Sequence, residues 1–407
     1  MKFLNSTKTK SRAHCLIIQF LLFFSLSFFL NTLIAQKTPV SIDISGFHSS
    51  SRQWRHNTGD KFVIIALKGQ GEYKPGQVRE IADNILLYQQ SNGGWLKNYD
   101  MLAILTDQQK QSLKDSTAYL QKHTSFDNGA TLSQVEYLAQ AYTQTKDQRY
   151  KVAALRGIDF ILSAQYPDNG GWPQFYPYNR GYQKYITFND DVMAEIMTAL
   201  LHIVQNKPHY SFVQGNNRDR VKKAFEKGIE CILKCQVNEN GKLKGWCQQY
   251  DNIDLHPRGA RKFELEGLST GESVKIVQFL MSVDHPSKEI INSVKGAIQW
   301  FKESKINGIR IKTVPAPVAV YKYHTTSTDN VVVEDASAPS IWTRFFELGT
   351  NRPFFANVDG GKVYQLSDVW RERRTGYTWY GYWPQELLTK EYPEWLKRNK
   401  LNDSYNF

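Results

Sequence analysis

Cysteine is scarce in this 407-residue chain: Cys15 lies in an N-terminal apolar segment, and only Cys231, Cys235 and Cys247 lie in the body. Three thiols cannot all pair within one exported chain, which excludes a fully disulfide-stapled scaffold. Cys231 and Cys235 are four apart on one helical face, with Cys247 and His256 nearby. That spacing matches no strong zinc pattern, and burial as small apolar side chains is the better reading. Acidic residues are absent from positions 1–35, where Lys2, Lys8, Lys10 and Arg12 precede an apolar run from Leu16 to Leu30 and then Ala35. A basic start, an apolar middle and a small residue before a cleavage point predict a signal peptide over residues 1–35. No second apolar run of spanning length follows. The chain is therefore expected to be exported, periplasmic or extracellular, with no stable membrane insertion after signal cleavage. Acid is in deficit throughout: 51 Lys and Arg against 39 Asp and Glu give +12, and without the four basic residues of 1–35 the remainder carries +8. Such a protein attracts polyanions, whether nucleic acid, anionic lipid or acidic polysaccharide, and charge alone does not choose among them. The chain shows no recognised nucleic-acid-binding motif, which counts against the first.

Rings and helical periodicity are abundant. Ten Trp, 22 Tyr and 22 Phe suit either a sugar-stacking surface or a ring-rich core. A helical period runs through residues 76–305, with helices predicted at Val78–Gln90, Gln108–Lys122, Leu132–Thr145, Tyr150–Ser163, Val192–Val204, Arg218–Lys234, Ser273–Ser282 and Lys288–Glu303. The last places Ile290, Ile291, Val294, Ala297, Ile298 and Phe301 on one stripe. Short strands are predicted at Phe62–Ala66, Ile309–Val314, Val331–Val333 and Lys362–Leu366. A motif recurs: Gln89 to Gly-Gly-Trp95, Gln165 to Gly-Gly-Trp172, and Gln236 to Gly245-Trp246, each closing a predicted helix. The repeating unit is a helical hairpin plus a Gly-rich turn, which buries its apolar face only by stacking on its neighbours. The expected fold is mainly α, an α/α toroid-like repeat of helical hairpins with short β elements toward the C-terminus. No Pro/Ser/Gly-rich linker divides it, so residues 36–75 are expected as an N-terminal arm and 76–407 as one domain. The Gly-Trp turns would gather at one end, where Trp95 and Trp172 serve either as structural plugs or as substrate-stacking rings.

Each Gly-Trp turn is followed by a polar group: Phe126-Asp127-Asn128, Phe188-Asn189-Asp190-Asp191, and Arg258-Gly-Ala-Arg261-Lys-Phe-Glu264. Asp and Asn are favoured helix N-caps, but a cap needs one oxygen and these loops offer several. Carboxylate and amide oxygens converging from two loops suit Ca2+ better than Zn2+. Arginines cluster with aromatics at Arg258, Arg261, Arg344, Arg352, Arg371, Arg373 and Arg374. Arginine grips carboxylate bidentately, and rings stack on pyranose faces, so the combination suits a sugar acid.

Eight motifs run in order: Asn92-Gly-Gly-Trp95-x-Lys97-Asn98, Asp127-Asn-Gly-Ala-Thr131, Gln165 through Gly-Gly-Trp-Pro-Gln174, Thr187-Phe-Asn-Asp-Asp191, Gly259-Ala-Arg-x-Phe-Glu264, Trp342-x-Arg-Phe-x-Glu347, Arg352-Pro-x-Phe355 and Arg373-Arg-Thr-Gly-Tyr377. Together they resemble the pectate lyases of polysaccharide lyase family 10. The resemblance implies a toroid-like catalytic domain, Ca2+ as cofactor, and β-elimination of polygalacturonate or a related acidic plant polysaccharide. It implies Arg261 as the base, calcium and substrate on Asp127 and Asp190, and a grip on the substrate carboxylate from Arg344; beside these, Asp191 is expected as a further metal ligand and Lys97, Trp95, Trp172, Arg258 and Arg352 as substrate contacts. Where the family typically has Arg-Asp-Gly, this chain has Val358-Asp359-Gly360. Arginine's high intrinsic pKa opposes its use as a base; a calcium ion, Lys262 and Arg258 are the neighbours expected to lower it. Two other readings fit the same residues: an inverting glycoside hydrolase with Asp127 and Asp190 or Asp191 as paired carboxylates, and a non-catalytic acidic-glycan-binding protein.

Overall fold

The computed structural model describes residues 40–56, 62–177, 180–322 and 324–403. The predicted signal peptide lies outside them. Among the described residues no helix is long and apolar enough to cross a membrane.

Among the described residues, the helices up to residue 303 that organise the fold are α1 (His48–Arg55), α2 (Val78–Tyr88), α3 (Asp107–Asp115), α4 (Leu132–Thr145), α5 (Gln148–Ala164), α6 (Val192–Val204), α7 (Asn216–Cys235), α8 (Thr270–Met281) and α9 (Lys288–Glu303). The pairs α4/α5, α6/α7 and α8/α9 pack as hairpins. Helices α4, α6 and α8 lie side by side as an inner row, and α2, α5, α7 and α9 form an outer row behind them. This is the α/α toroid-like repeat that the periodicity predicts. Helix α2 buries Val78, Ile81, Ala82, Ile85 and Tyr88, one face of a 3.6-residue period. Helix α6, central in the inner row, buries residues on nearly every side, from Val192 and Met193 to Leu201 and Ile203.

The repeated Gln…Gly-Gly-Trp turn bolts each outer helix to the next. Gln89, Gln165 and Gln236 donate through Nε2 to a turn carbonyl (Gly93, Gly170, Lys244; 3.0, 2.9 and 2.7 Å) and to the following outer helix (Ala153, Ala224, Ser293; 2.9, 2.8 and 2.9 Å). Gly93 and Gly170 have φ of +93° and +79°, and a Cβ there would meet the carbonyl oxygens of Arg156 and Lys227 at 2.3 Å. Only glycine permits both the left-handed backbone and the close approach. Trp95, Trp172 and Trp246 then plunge into the core at 0% exposure, and each indole N–H donates to a carbonyl of the preceding outer helix (Ile85, Ile161, Ile232; 2.9, 2.8 and 2.8 Å). The expectation that Trp95 and Trp172 stack on substrate is thereby corrected. Neither ring has a face to offer, because the hydrophobic gain and the N–H bond are both satisfied inside.

The β elements surround the C-terminal half. Strands β1 (Trp246–Cys247), β2 (Leu268–Ser269), β5 (Phe345–Phe346), β6 (Pro353–Ala356) and β7 (Lys362–Val363) form an antiparallel sheet of order β7-β6-β5-β2-β1. It carries a second apolar cluster of Phe263, Phe345, Phe354, Phe355 and Trp379 beside the main core. Strands β3 (Ile309–Val320) and β4 (Thr325–Glu334) form a long antiparallel hairpin, with Ile309 opposite Glu334 and Val320 opposite Thr325. The short runs expected there are partners in one ribbon. No strand forms at Phe62–Ala66: Trp54 Nε1 and Gln109 Nε2 donate to the carbonyls of Ile64 and Ile65 in place of a partner strand (3.0 and 2.9 Å). The helix expected over Gln108–Lys122 breaks at Ser116, leaving α3 and one further turn at Thr117–Leu120. Cys231, Cys235 and Cys247 are buried free thiols; burial above all raises the Cys247 thiol to about 12.

Candidate active site

The inner helices begin at one end of the double row, each behind a polar loop. Neither acid loop caps its helix. The N-cap residues of α4 and α6 are Thr131 and Asp191, and neither side chain accepts a capping bond. Asn128, Asp190 and Asp191 all have left-handed φ (+55°, +51° and +62°), a conformation that costs non-glycine residues energy and collects at functional sites. The arm secures the first loop: Ser50 Oγ donates to the Asn128 carbonyl at 3.0 Å. Gln248 secures the second, accepting from the backbone N–H of Phe188 and Asn189 and donating to Asn189 Oδ1 at 2.8 Å.

Asp127 is buried; Lys97 Nζ is bonded to its Oδ2, and its Oδ1 has no partner. Asp190 accepts from Asn189 Nδ2 at 2.8 Å. Asp190 is exposed at the loop surface, but desolvation of its carboxyl by the surrounding site, then the charges of Asp127, Glu272 and Glu264, pushes it up to about 7. Burial also raises Asp191 to about 6, against the pull of Lys275 at 4.0 Å. One helical turn on, Glu195 rises to about 8, through burial and then Asp191.

Facing these acids are two arginines, each clamped by a buried glutamate. Arg261 Nε donates to Glu264 Oε2 at 2.7 Å and its Nη2 to Glu264 Oε1, a bidentate fork. Tyr377 donates to Glu264 Oε1 at 2.9 Å, and the guanidinium lies 4.8 Å over the ring of Phe263 and 5.7 Å from that of Tyr377. Arg344 Nη2 donates to Glu272 Oε1 at 3.1 Å and stacks 4.7 Å over Tyr377; its buried Nε has no partner. Burial would lower the proton affinity of Arg261, but the bond to Glu264 outweighs it and drives that affinity further up. Lys262 and Arg258 do not lower it as expected: Lys262 is exposed, and Arg258 is paired with Asp251 at 3.2 Å.

The six carboxylates of Asp127, Asp190, Asp191, Glu195, Glu264 and Glu272 thus meet the four cations Lys97, Arg261, Lys275 and Arg344. With every carboxylate ionised, six less four would leave two negative charges, an excess that a divalent cation would neutralise and that adds to desolvation in raising the carboxyls of Asp190, Asp191 and Glu195. Carboxylate oxygens are the donors Ca2+ takes, and Asp127 Oδ1 is orphaned in the interior, but no three of these carboxylates bring ligand atoms within 4.8 Å of one another, so an ion here would draw the two acid loops together.

A family profile described as pectic acid lyase matches residues 89–388. The chain belongs to that family. Among solved structures, the lyase is 32% identical to a mutant of the family 10 polysaccharide lyase from Cellvibrio cellulosa in complex with trigalacturonic acid, covering 79% of this chain and 92% of that one at a TM-score of 0.64. A second structure of family 10 polysaccharide lyase from Cellvibrio cellulosa is 30% identical over 89% of this chain and 99% of its own, also at 0.64. No curated protein matches. The chain is a polysaccharide lyase, which sets aside the hydrolase and the non-catalytic readings.

Of the residues singled out in the sequence, the lyase brings Lys97, Asp127, Asp190, Asp191, Arg261 and Arg344 into this one group. Arg258 lies on the edge strand of a small sheet leading to the second acid loop, and Arg352 is exposed, 3.5 Å over the ring of Tyr364. Val358 stands in the β6–β7 loop, where a Cβ on Gly360 would come within 3.1 Å of the Lys262 carbonyl. The departure from Arg-Asp-Gly therefore flanks the Arg261 loop. Glu272, Glu195, Lys275 and Tyr377 escaped the sequence reading as site residues. The structure supplies the correspondence: Trp95 N donates to Thr131 Oγ1 and Trp246 N to Ser273 Oγ, so the third counterpart of the acid loops is the segment Thr270-Gly-Glu272, not Arg258 to Glu264.

Proposed function

We propose that the lyase is an exported, calcium-dependent pectate lyase that cleaves polygalacturonate by β-elimination with Arg261 as base. The observation that carries this reading is the uncapped, net-acidic Asp127–Asp190–Asp191 group facing Arg261 and Arg344 across Tyr377. The galacturonate ligand of the Cellvibrio relative supports the substrate class. Residues 76–407 serve as the catalytic domain and 36–75 as an arm that braces the Asp127 loop.

Elimination removes the C5 proton of a uronate; the electron pair forms the C4–C5 double bond, and the C4–oxygen bond to the neighbouring sugar breaks. Calcium held by Asp127, Asp190 and Asp191 would neutralise the substrate carboxylate and so acidify C5. Arg344, with its unpartnered Nε, grips that carboxylate, and Lys97 orients Asp127 at the rim. Glu264 occupies Nε and Nη2 of Arg261, which fixes the guanidinium plane, so that in the deprotonated side chain Nη1 is the nitrogen left to take the C5 proton. Because Glu264 favours the cationic form, turnover should rise toward alkaline pH. Arg258 and Arg352 contact more distant sugars of the polymer. Incubating the protein with polygalacturonate, with and without chelator, tests the reading. Ultraviolet-absorbing unsaturated product in Ca2+ alone is expected; no product, or equal product in both, would overturn it.

A further inference from the structure

We propose that Glu136, His202 and His209 form a second metal site, with donors suited to a borderline divalent ion such as Zn2+. Glu136 projects from α4, His202 from the last turn of α6, and His209 from the 3-10 turn Pro208–Tyr210 that follows. One ligand atom from each lies within 4.8 Å of the others, and among the described residues no other His, Cys, Asp or Glu group of three or more does so. Glu136 Oε1 stands 2.8 Å from His209 Nε2, and Oε2 stands 3.5 Å from His202 Nδ1. Despite that distance, His209 Nε2 is a buried atom with no hydrogen bond of acceptable alignment. At 2.8 Å the two atoms are in ion-pair contact, too close for an ion between them, so a bound ion would sit beside the pair and open it to about 3.3 Å. The two imidazoles are nearly perpendicular, at 89° with centroids 6.2 Å apart, so their nitrogens approach from different directions. Tyr210 donates to Glu136 Oε2 at 2.8 Å and orients the carboxylate, as outer partners of metal ligands do.

Two imidazole nitrogens and one carboxylate oxygen match Zn2+ with an open fourth position; Ca2+ takes oxygen ligands throughout. The site is separate from the acid loops. His202 lies eleven residues beyond Asp191, about 16 Å along α6, and a groove lined by Asp191, Glu195, Thr198, Glu136 and His202 runs between them. That groove gives the ion its entry. Bound there, it would staple α4 to α6 and the following turn at the far end of the inner row.

The test uses the whole purified protein, stripped with chelator and titrated with Zn2+ alone in excess Ca2+. One Zn2+ per chain is expected, with a melting temperature raised by about 3 °C at a hundred-fold excess over Kd. His202→Ala and His209→Ala should each weaken binding about 100-fold or more, and Glu136→Gln, which preserves shape, about 10-fold or more. Co2+ in place of Zn2+ should give weak visible bands without the intense near-ultraviolet band of thiolate ligation, which separates this site from Cys231, Cys235 and Cys247. Lyase turnover in saturating Ca2+ should be unchanged in the histidine variants, so this proposal and the calcium reading fail separately. Absence of stoichiometric Zn2+, equal affinity in wild type and Glu136→Gln, or a thiolate band would overturn it.

Discussion

Replacing Arg261 with lysine keeps the positive charge and removes the fork. Glu264 is 1% exposed and now receives Nε, Nη2 and the backbone N–H of Arg261, together with the Tyr377 hydroxyl. A lysine ammonium reaches one of its oxygens at most, while the backbone and Tyr377 bonds survive. The folding loss should therefore stay near that of one poorly satisfied buried group, about 1–3 kcal/mol. Turnover should suffer far more. If Arg261 removes the C5 proton, loss of its reach and plane should cost about 4 kcal/mol of barrier, on the order of a thousand-fold in kcat. Lysine's lower proton affinity does not rescue this, because the fixed plane set by Glu264 is what places the nitrogen. Arg344→Lys should behave differently: KM should rise and saturating substrate should restore much of the rate, as expected for a carboxylate grip. Initial rates from ultraviolet absorbance across substrate concentration, with calorimetric titration of oligogalacturonate into both variants in Ca2+, separate the two. Near-normal kcat for Arg261→Lys at saturation would remove Arg261 from the chemistry. A folded variant that fails to bind would move it to substrate holding.

Chelation should abolish activity and excess Ca2+ should restore it; full activity in chelator, read by the same absorbance assay, would remove the metal from catalysis. The raised carboxyls also fix a pH dependence. Asp190 at about 7, Asp191 at about 6 and Glu195 at about 8 bind protons more tightly folded than unfolded, where carboxyls titrate near 4. Cation-free protein should therefore lose stability as pH rises from about 4 through about 8, and saturating Ca2+ should flatten that decline; melting curves at stepped pH with and without Ca2+ would show it, and parallel curves would refute it. Asp190→Ala removes a charge repelled by its acidic neighbours and no cap, so its melting temperature in chelator should not fall, while the Ca2+-induced rise should disappear; an unfolded variant would make Asp190 structural. Trp172→Ala should cost about 3–5 kcal/mol of stability with KM unchanged in the folded protein, and a raised KM at normal stability would restore the stacking role.

The sequence by itself determined the local elements. Helices α2, α4, α6 and α9 lie where a 3.6-residue apolar period put them, because that period depends only on neighbours within a turn or two. The three Gln…Gly-Trp turns were equally legible, since Gly93 and Gly170 answer a local backbone demand. Both acid loops could be read as more than caps because they hold more oxygens than a cap uses. Partnership across the fold was decided only by the tertiary structure. Whether Trp172 faces a sugar or the core depends on what packs against it, and it is fully buried with Gly228 of α7 against its ring. Arg344 meets Glu272 across 72 residues, and Glu136 meets His202 across 66. Such contacts arise when helix rows stack, and no local spacing encodes them. The direction of Arg261's proton affinity turned on the same fact: its sequence neighbours are cations, but the side chain folds onto Glu264, and a bidentate carboxylate outweighs charges that point into solvent.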